Sequence, residues 1–100
     1  MGWELYPEAI YHCLIDLKKY RKPIYVTESG LADAKDEKRS WFIRETLKNV
    51  RRAMEEGADV RGYFYWSLLD NFEWDKGFWP RFGLAEVDYE TLERKIRPSA

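Results

Sequence analysis

The sequence predicts an α/β unit in the order helix, strand, helix, strand, with the two strands parallel. Three observations carry this. Two stretches place apolar residues at helical spacing, Ile10, Leu14 and Leu17 first and Ile43, Leu47, Val50 and Met54 later. Each is followed by a short β-prone run, Ile24-Tyr25-Val26-Thr27 and then Val60 onward through Tyr63, Phe64, Tyr65 and Trp66. The second helix separates the runs and acts as a crossover, so adjacent strands must be parallel.

Each element has its own signals. Pro7 and Glu8 suit the opening of the first helix. Lys18, Lys19, Arg21 and Lys22 suit its C-terminal end, and Pro23 stops it. Cys13 lies beside the apolar stripe and is expected to be a buried thiol, whereas His12 lies on the other side and is expected to face solvent. The first run, Ile24–Thr27, has no polar alternation before Glu28, which predicts cover on both faces. Ser29-Gly30 ends it. Residues 30–38 read as a loop, and the second helix is expected over Glu37–Glu56, with Asp36 as N-cap, Gly57 as C-cap, and Phe42 and Ala53 beside its stripe. The second strand is expected near Arg61–Trp66. Beyond Asp70 comes a long polar-aromatic loop, then a short extended piece over Phe82–Val87. Arg97-Pro98-Ser99-Ala100 reads as the threshold of a further helix.

Composition bounds the function. The 100 residues allow one small domain, and 45% apolar with 17% aromatic content argues against disorder. Seventeen basic and eighteen acidic residues give a net charge of −1, with no general pull toward nucleic acid or anionic lipid. A single cysteine excludes an intrachain disulfide and any multi-cysteine metal site, and His12 has no second histidine as partner. No Gly-rich phosphate loop is present, so no cofactor or metal is expected. The longest apolar-leaning stretch, Gly62–Leu69, is far short of the ~20 residues that span a bilayer. The N-terminus lacks the pattern of a signal peptide, and Tyr6 stands where myristoylation wants Ser or Thr. The basic residues of Lys18–Lys22 read as a solvated helix face, and a cytoplasmic protein without a nucleic-acid or membrane partner is the expectation. The many late aromatics, from Tyr63 to Phe82, exceed what so small an interior can hide. They must line a ligand site or pack on another surface.

Several segments then read together. Tyr25-Val26-Thr27-Glu28-Ser29-Gly30, Gly62-Tyr63-Phe64-Tyr65-Trp66-Ser67-Leu68-Leu69-Asp70-Asn71-Phe72-Glu73-Trp74, Arg81-Phe82-Gly83-Leu84, Val87-Asp88-Tyr89 and Arg97-Pro98-Ser99-Ala100 occur in order after Gly2-Trp3-Glu4-Leu5-Tyr6-Pro7-Glu8. The whole chain resembles glycoside hydrolase family 1, the β-glucosidase family. The wording of Gly57–Tyr63 and of Arg97–Ala100 is similar to archaeal β-glycosidases. The resemblance implies the C-terminal quarter of a (β/α)8 TIM barrel, with Ile24–Glu28 as strand seven and Val60–Trp66 as strand eight. Active groups in such barrels gather at the C-terminal strand ends, where Glu28 and Trp66 fall.

The resemblance makes Glu28 the catalytic nucleophile of a retaining β-glycosidase. It makes Glu73 the acceptor of sugar hydroxyls, with Trp74 beside it, Trp66 as the floor of the subsite and Phe82 as a nearby wall. Carboxylates bind hydroxyls and flat rings cover sugar C–H faces. Two residues depart from the family pattern: Ser29 stands in an Asn position and Tyr65 in a position many members give to His. Glu28 and Glu73 follow neighbouring strands and could approach as a carboxylate pair. The family's general acid/base, however, belongs to an Asn-Glu-Pro segment, and none occurs in this sequence. The resemblance therefore implies half of a catalytic pair, inactive alone, acting on a β-linked glycoside with a complementing barrel fragment or in a homo-oligomer. The alternative is a non-catalytic barrel fragment that oligomerises or binds sugar weakly.

Overall fold

A computed structural model describes all of residues 1–100. Helix α1 spans Ala9–Leu17 and runs into a 3-10 turn at Lys18–Tyr20. Arg21, in the left-handed region at φ 52°, closes that turn by donating its N–H to the Lys18 carbonyl at 3.0 Å. Strand β1 follows at Ile24–Ser29, helix α2 at Arg39–Glu55 and strand β2 at Val60–Tyr65. The two strands are adjacent and parallel, as the crossover requires.

The helices cover one face of this pair. Leu14, Val50, Ala53, Ala58 and Val60 form the core cluster, with Ile24, Val26 and Tyr63 packed against it. A register shift between Ile24 and Tyr25 brings Val60 and Tyr63, three positions apart, to the same cluster. The other face is open. Tyr25 is 56% exposed and Phe64 59% exposed, so the expected cover on both faces is corrected: alternation sends these rings away from both helices.

Helix α2 begins two residues later than expected, and its N-terminus is capped differently. Asp33, not Asp36, accepts the backbone N–H groups of Lys38 at 2.7 Å and Arg39 at 3.1 Å. Asp36 itself sits at φ 59° and binds Arg39 and Ser99. The C-terminal expectation holds in a more specific form. Gly57, at φ 95°, donates to the Met54 carbonyl and Ala58 to that of Ala53, the paired bonds of a Schellman motif. The buried stripe of α2 is Arg39, Thr46, Val50 and Ala53. Leu47 and Met54 are exposed, because the helix turns a neighbouring part of its apolar surface away from β1 and β2. Cys13 is exposed as well. It borders a groove with Leu17, Ile24 and Phe42, and no element of the chain covers that flank of α1. His12 is exposed as expected.

A second, antiparallel sheet follows; its first strand falls within the extended piece expected over Phe82–Val87, whereas its second strand and the pairing have no counterpart in the sequence reading. Strands β3, Ala85–Val87, and β4, Arg94–Ile96, pair through three residues each. A parallel bridge between Leu69 and Ala85 ties β3 to the segment after β2. Residues 97–100 form a turn, not a helix. The molecule is elongated, 47 × 24 × 24 Å, with a radius of gyration of 15.0 Å; a compact chain of this length has about 13 Å. Its 7156 Å² of accessible surface exceeds the roughly 6,000 Å² of a compact monomer of equal mass.

Candidate active site

The C-terminal ends of β1 and β2 meet beside a cleft of about 300 Å³. At the end of β1, Ser29 accepts the Trp66 N–H at 2.9 Å, which fastens the first residue beyond β2. Gly30 then passes so close to Trp66 that a Cβ there would lie 1.7 Å from the Trp66 carbonyl oxygen. No larger residue fits without moving one strand end. The Trp66–Ser67 peptide is cis.

The loop after β2 folds back over the same end. Asn71 donates to Ser67 Oγ and to the Leu69 carbonyl, both at 2.9 Å, and Ser67 Oγ donates to that carbonyl at 2.7 Å. Glu73 N–H donates to the Gly77 carbonyl at 2.7 Å, and a 3-10 turn at Trp74–Lys76 holds Trp74 outward at 81% exposure. Phe72, Phe78 and Tyr89 pack in series, the first pair tilted and the second edge-on, with centroids 5.3 and 4.8 Å apart, and the Arg81 guanidinium lies over Tyr89 at 4.3 Å.

Phe82 is only 4% exposed and is held from two sides. Its carbonyl accepts the Tyr65 hydroxyl at 3.3 Å, while buried Arg39 donates to Tyr65 Oη at 3.1 Å and to the Arg81 carbonyl at 2.8 Å. On the other side Asp70, fully buried at its side chain, accepts the Gly83 N–H at 2.8 Å and Arg97 at 3.0 and 3.1 Å. Burial opposes ionisation of Asp70. The bonds from Arg97 and from the Gly83 and Val87 N–H groups outweigh it and hold the carboxyl below its usual value. Burial likewise opposes ionisation of Asp36, and the Ser99 hydroxyl and N–H with Arg39 outweigh it.

Glu28, Trp66, Glu73, Trp74 and Phe82, the five residues singled out from the sequence, all line this one cleft. Trp3 joins them, its ring 5.9 Å from that of Phe82. In the sequence Trp3 falls within the Gly2–Glu8 motif, and its position well before β1 carries no local signal of a site. No other side chain donates to the carboxylate of Glu28 or Glu73, so both are free acceptors. The two family departures differ in kind. Ser29 lines the cleft but makes no bond to Glu28, whereas Tyr65 lies outside the cleft, in the Arg39 cluster behind it. Two carboxylates among flat rings can accept sugar hydroxyls and supply a nucleophile.

The sequence profile of glycosyl hydrolase family 1 matches residues 1–100. The chain belongs to this family. It is 51% identical over 94 residues to a β-galactosidase of Pyrococcus woesei, covering 94% of this chain and 18% of that protein. The β-glycosidase structure from Pyrococcus horikoshii superposes with a TM-score of 0.96 at 55% identity, over 99% of this chain and 23% of that one. The β-glucosidase from Thermotoga maritima, solved with castanospermine, gives 0.91 at 38% identity, over 99% and 25%. The chain thus spans about a fifth to a quarter of these family members. No helix of the chain is long and apolar enough to cross a membrane.

Proposed function

We propose that this chain supplies the nucleophile and part of the glycone subsite of a retaining β-glycosidase, as the unit of strands seven and eight in a (β/α)8 barrel. The gathering of Glu28, Trp66, Glu73, Trp74 and Phe82 in one cleft at the C-terminal ends of parallel strands supports this most strongly. The substrate class is a β-linked glycoside. A Glu28 carboxylate oxygen attacks the anomeric carbon as the bond to the leaving oxygen breaks, and a general acid outside these residues protonates that oxygen. Water then attacks the same carbon, the ester to Glu28 breaks, and the water's proton returns to the acid/base. Glu73 accepts hydroxyls of the sugar, Trp66 and Trp74 cover its C–H faces, and Phe82 with Trp3 walls the cleft.

The general acid comes from a complementing barrel segment that carries Asn-Glu-Pro, which this sequence does not contain. An aryl β-glucoside tests the reading, because a good leaving group lessens the need for acid help. The chain alone is expected to give no hydrolysis, and the chain joined by the remaining strands of a family barrel is expected to give turnover. Robust turnover by the chain alone would overturn the assignment of the acid. A folded, joined assembly without turnover would instead favour a non-catalytic barrel unit that oligomerises, the second reading, which the exposed Tyr25 and Phe64 support.

A further inference from the structure

A second hollow lies at the opposite end of the strands. It has a volume of about 680 Å³ and is lined mainly by Lys18, Lys19, Arg21, Lys22, Gly57 and Asp59. Lys22 precedes β1 and Asp59 precedes β2, which sets the hollow roughly 20 Å along the strand from Glu28. The left-handed conformation of Arg21 bends the chain at the end of the 3-10 turn. Four cations within five positions therefore border one concavity.

The chain balances this cluster only in small part. The one carboxylate in the lining, Asp59, is held in a two-bond fork by Arg61 at 2.9 and 3.1 Å. Lys18 Nζ donates to the Glu56 carbonyl at 2.6 Å, and Lys19 lies 5.3 Å from the Tyr20 ring centroid. Lys19, Arg21 and Lys22 form no ion pair. The C-terminal ends of α1 and α2 point to this side, but together they supply only about one negative charge. Three cations remain uncompensated on a chain whose net charge is −1.

We propose that this hollow binds a multiply charged phosphoryl anion. The planar fork of Arg21 can engage two phosphoryl oxygens, and the lysines add mobile point charges. Such an anion arrives either free, as a di- or triphosphate, or as part of a nucleic-acid backbone.

Sodium tripolyphosphate, titrated into the isotope-labelled chain at low ionic strength, tests this. Amide shifts are expected at residues 18–22 and 57–61 and not at Glu28 or Glu73. The apparent affinity is expected to fall several-fold as salt shortens the Debye length from about 30 to 8 Å. The double variant Lys19→Glu, Lys22→Glu, altered only at exposed side chains, is expected to lose at least about tenfold in affinity, one charge-assisted contact being worth that much. Lys19→Arg with Lys22→Arg is expected to keep it. An oligothymidylate that displaces tripolyphosphate assigns the site to a polymer backbone, and failure to displace assigns it to the free anion. Absence of shifts, shifts spread evenly over the chain, or binding indifferent to the charge reversal would overturn the proposal.

Discussion

Asp70 accepts hydrogen bonds from Arg97, Arg81 and the backbone N–H groups of Gly83 and Val87 while its own side chain is wholly buried. Removing Arg97 leaves the buried carboxylate with only the single 3.2 Å bond from Arg81 to balance its charge. Arg97→Ala is expected to cost about 3–5 kcal/mol in chemical unfolding. The acid response has a definite sign. The folded pKa of Asp70 lies below its unfolded value of about 3.9. The unfolded chain therefore binds the proton more readily, and the stabilisation is complete above that value. It is lost as pH falls toward the folded pKa. Unfolding followed from pH 6 to pH 2 should show this loss in the parent chain and a flatter profile in Asp70→Asn; equal slopes would place the acid response elsewhere. These buried charges were not legible in the sequence. Arg39, Asp70 and Arg97 carry no local signal of burial there, because only tertiary partners make a buried charge tolerable. That Glu28, Trp66, Glu73 and Trp74 would meet at one strand end was legible through their motifs, whereas Trp3 joins the cleft only when the chain before α1 folds against Phe82.

At the scale of elements, β1, α2 and β2 followed from periodicity and β-propensity, and their parallel pairing followed from the crossover. The hairpin of β3 and β4 did not, since three-residue strands, one of them Arg94-Lys95-Ile96, leave no alternation to read. The stripe on α2 was misphased for a related reason. Its apolar surface is wider than the part that α1, β1 and β2 cover, and spacing alone cannot tell which part meets them. The joint between β1 and β2 depends on Gly30. Gly30→Ala puts a methyl against the Trp66 carbonyl, a backbone atom that cannot rotate aside. The expected cost is about 1–3 kcal/mol, the ordinary range for overpacking. Chemical unfolding reads that cost, and NMR should show displaced Trp66 and Ser67 amides. An unperturbed Trp66 would mean that the strand ends are not held together as described.

Across the whole molecule, the surface beyond that of a compact monomer is of the order of 1,000 Å², close to the ~800 Å² per partner of a standard interface. The open face with Tyr25 and Phe64, the groove beside Cys13 and the exposed Leu47 and Met54 supply its apolar part. Light scattering at rising concentration is expected to give a mass above the 12.1 kDa of one chain, or a complex with a complementing polypeptide. A chain that stays monomeric with a sharp cooperative melt would contradict this. Covalent trapping tests the proposed role of Glu28 as nucleophile directly. A 2-deoxy-2-fluoro aryl β-glycoside with a good leaving group should form the glycosyl ester and then stall, because fluorine destabilises both oxocarbenium-like transition states while the leaving group rescues only the first. In the joined barrel, peptide mass spectrometry is expected to find the fluorosugar on Glu28. A label on Glu73, or on a carboxylate outside this chain, would contradict it.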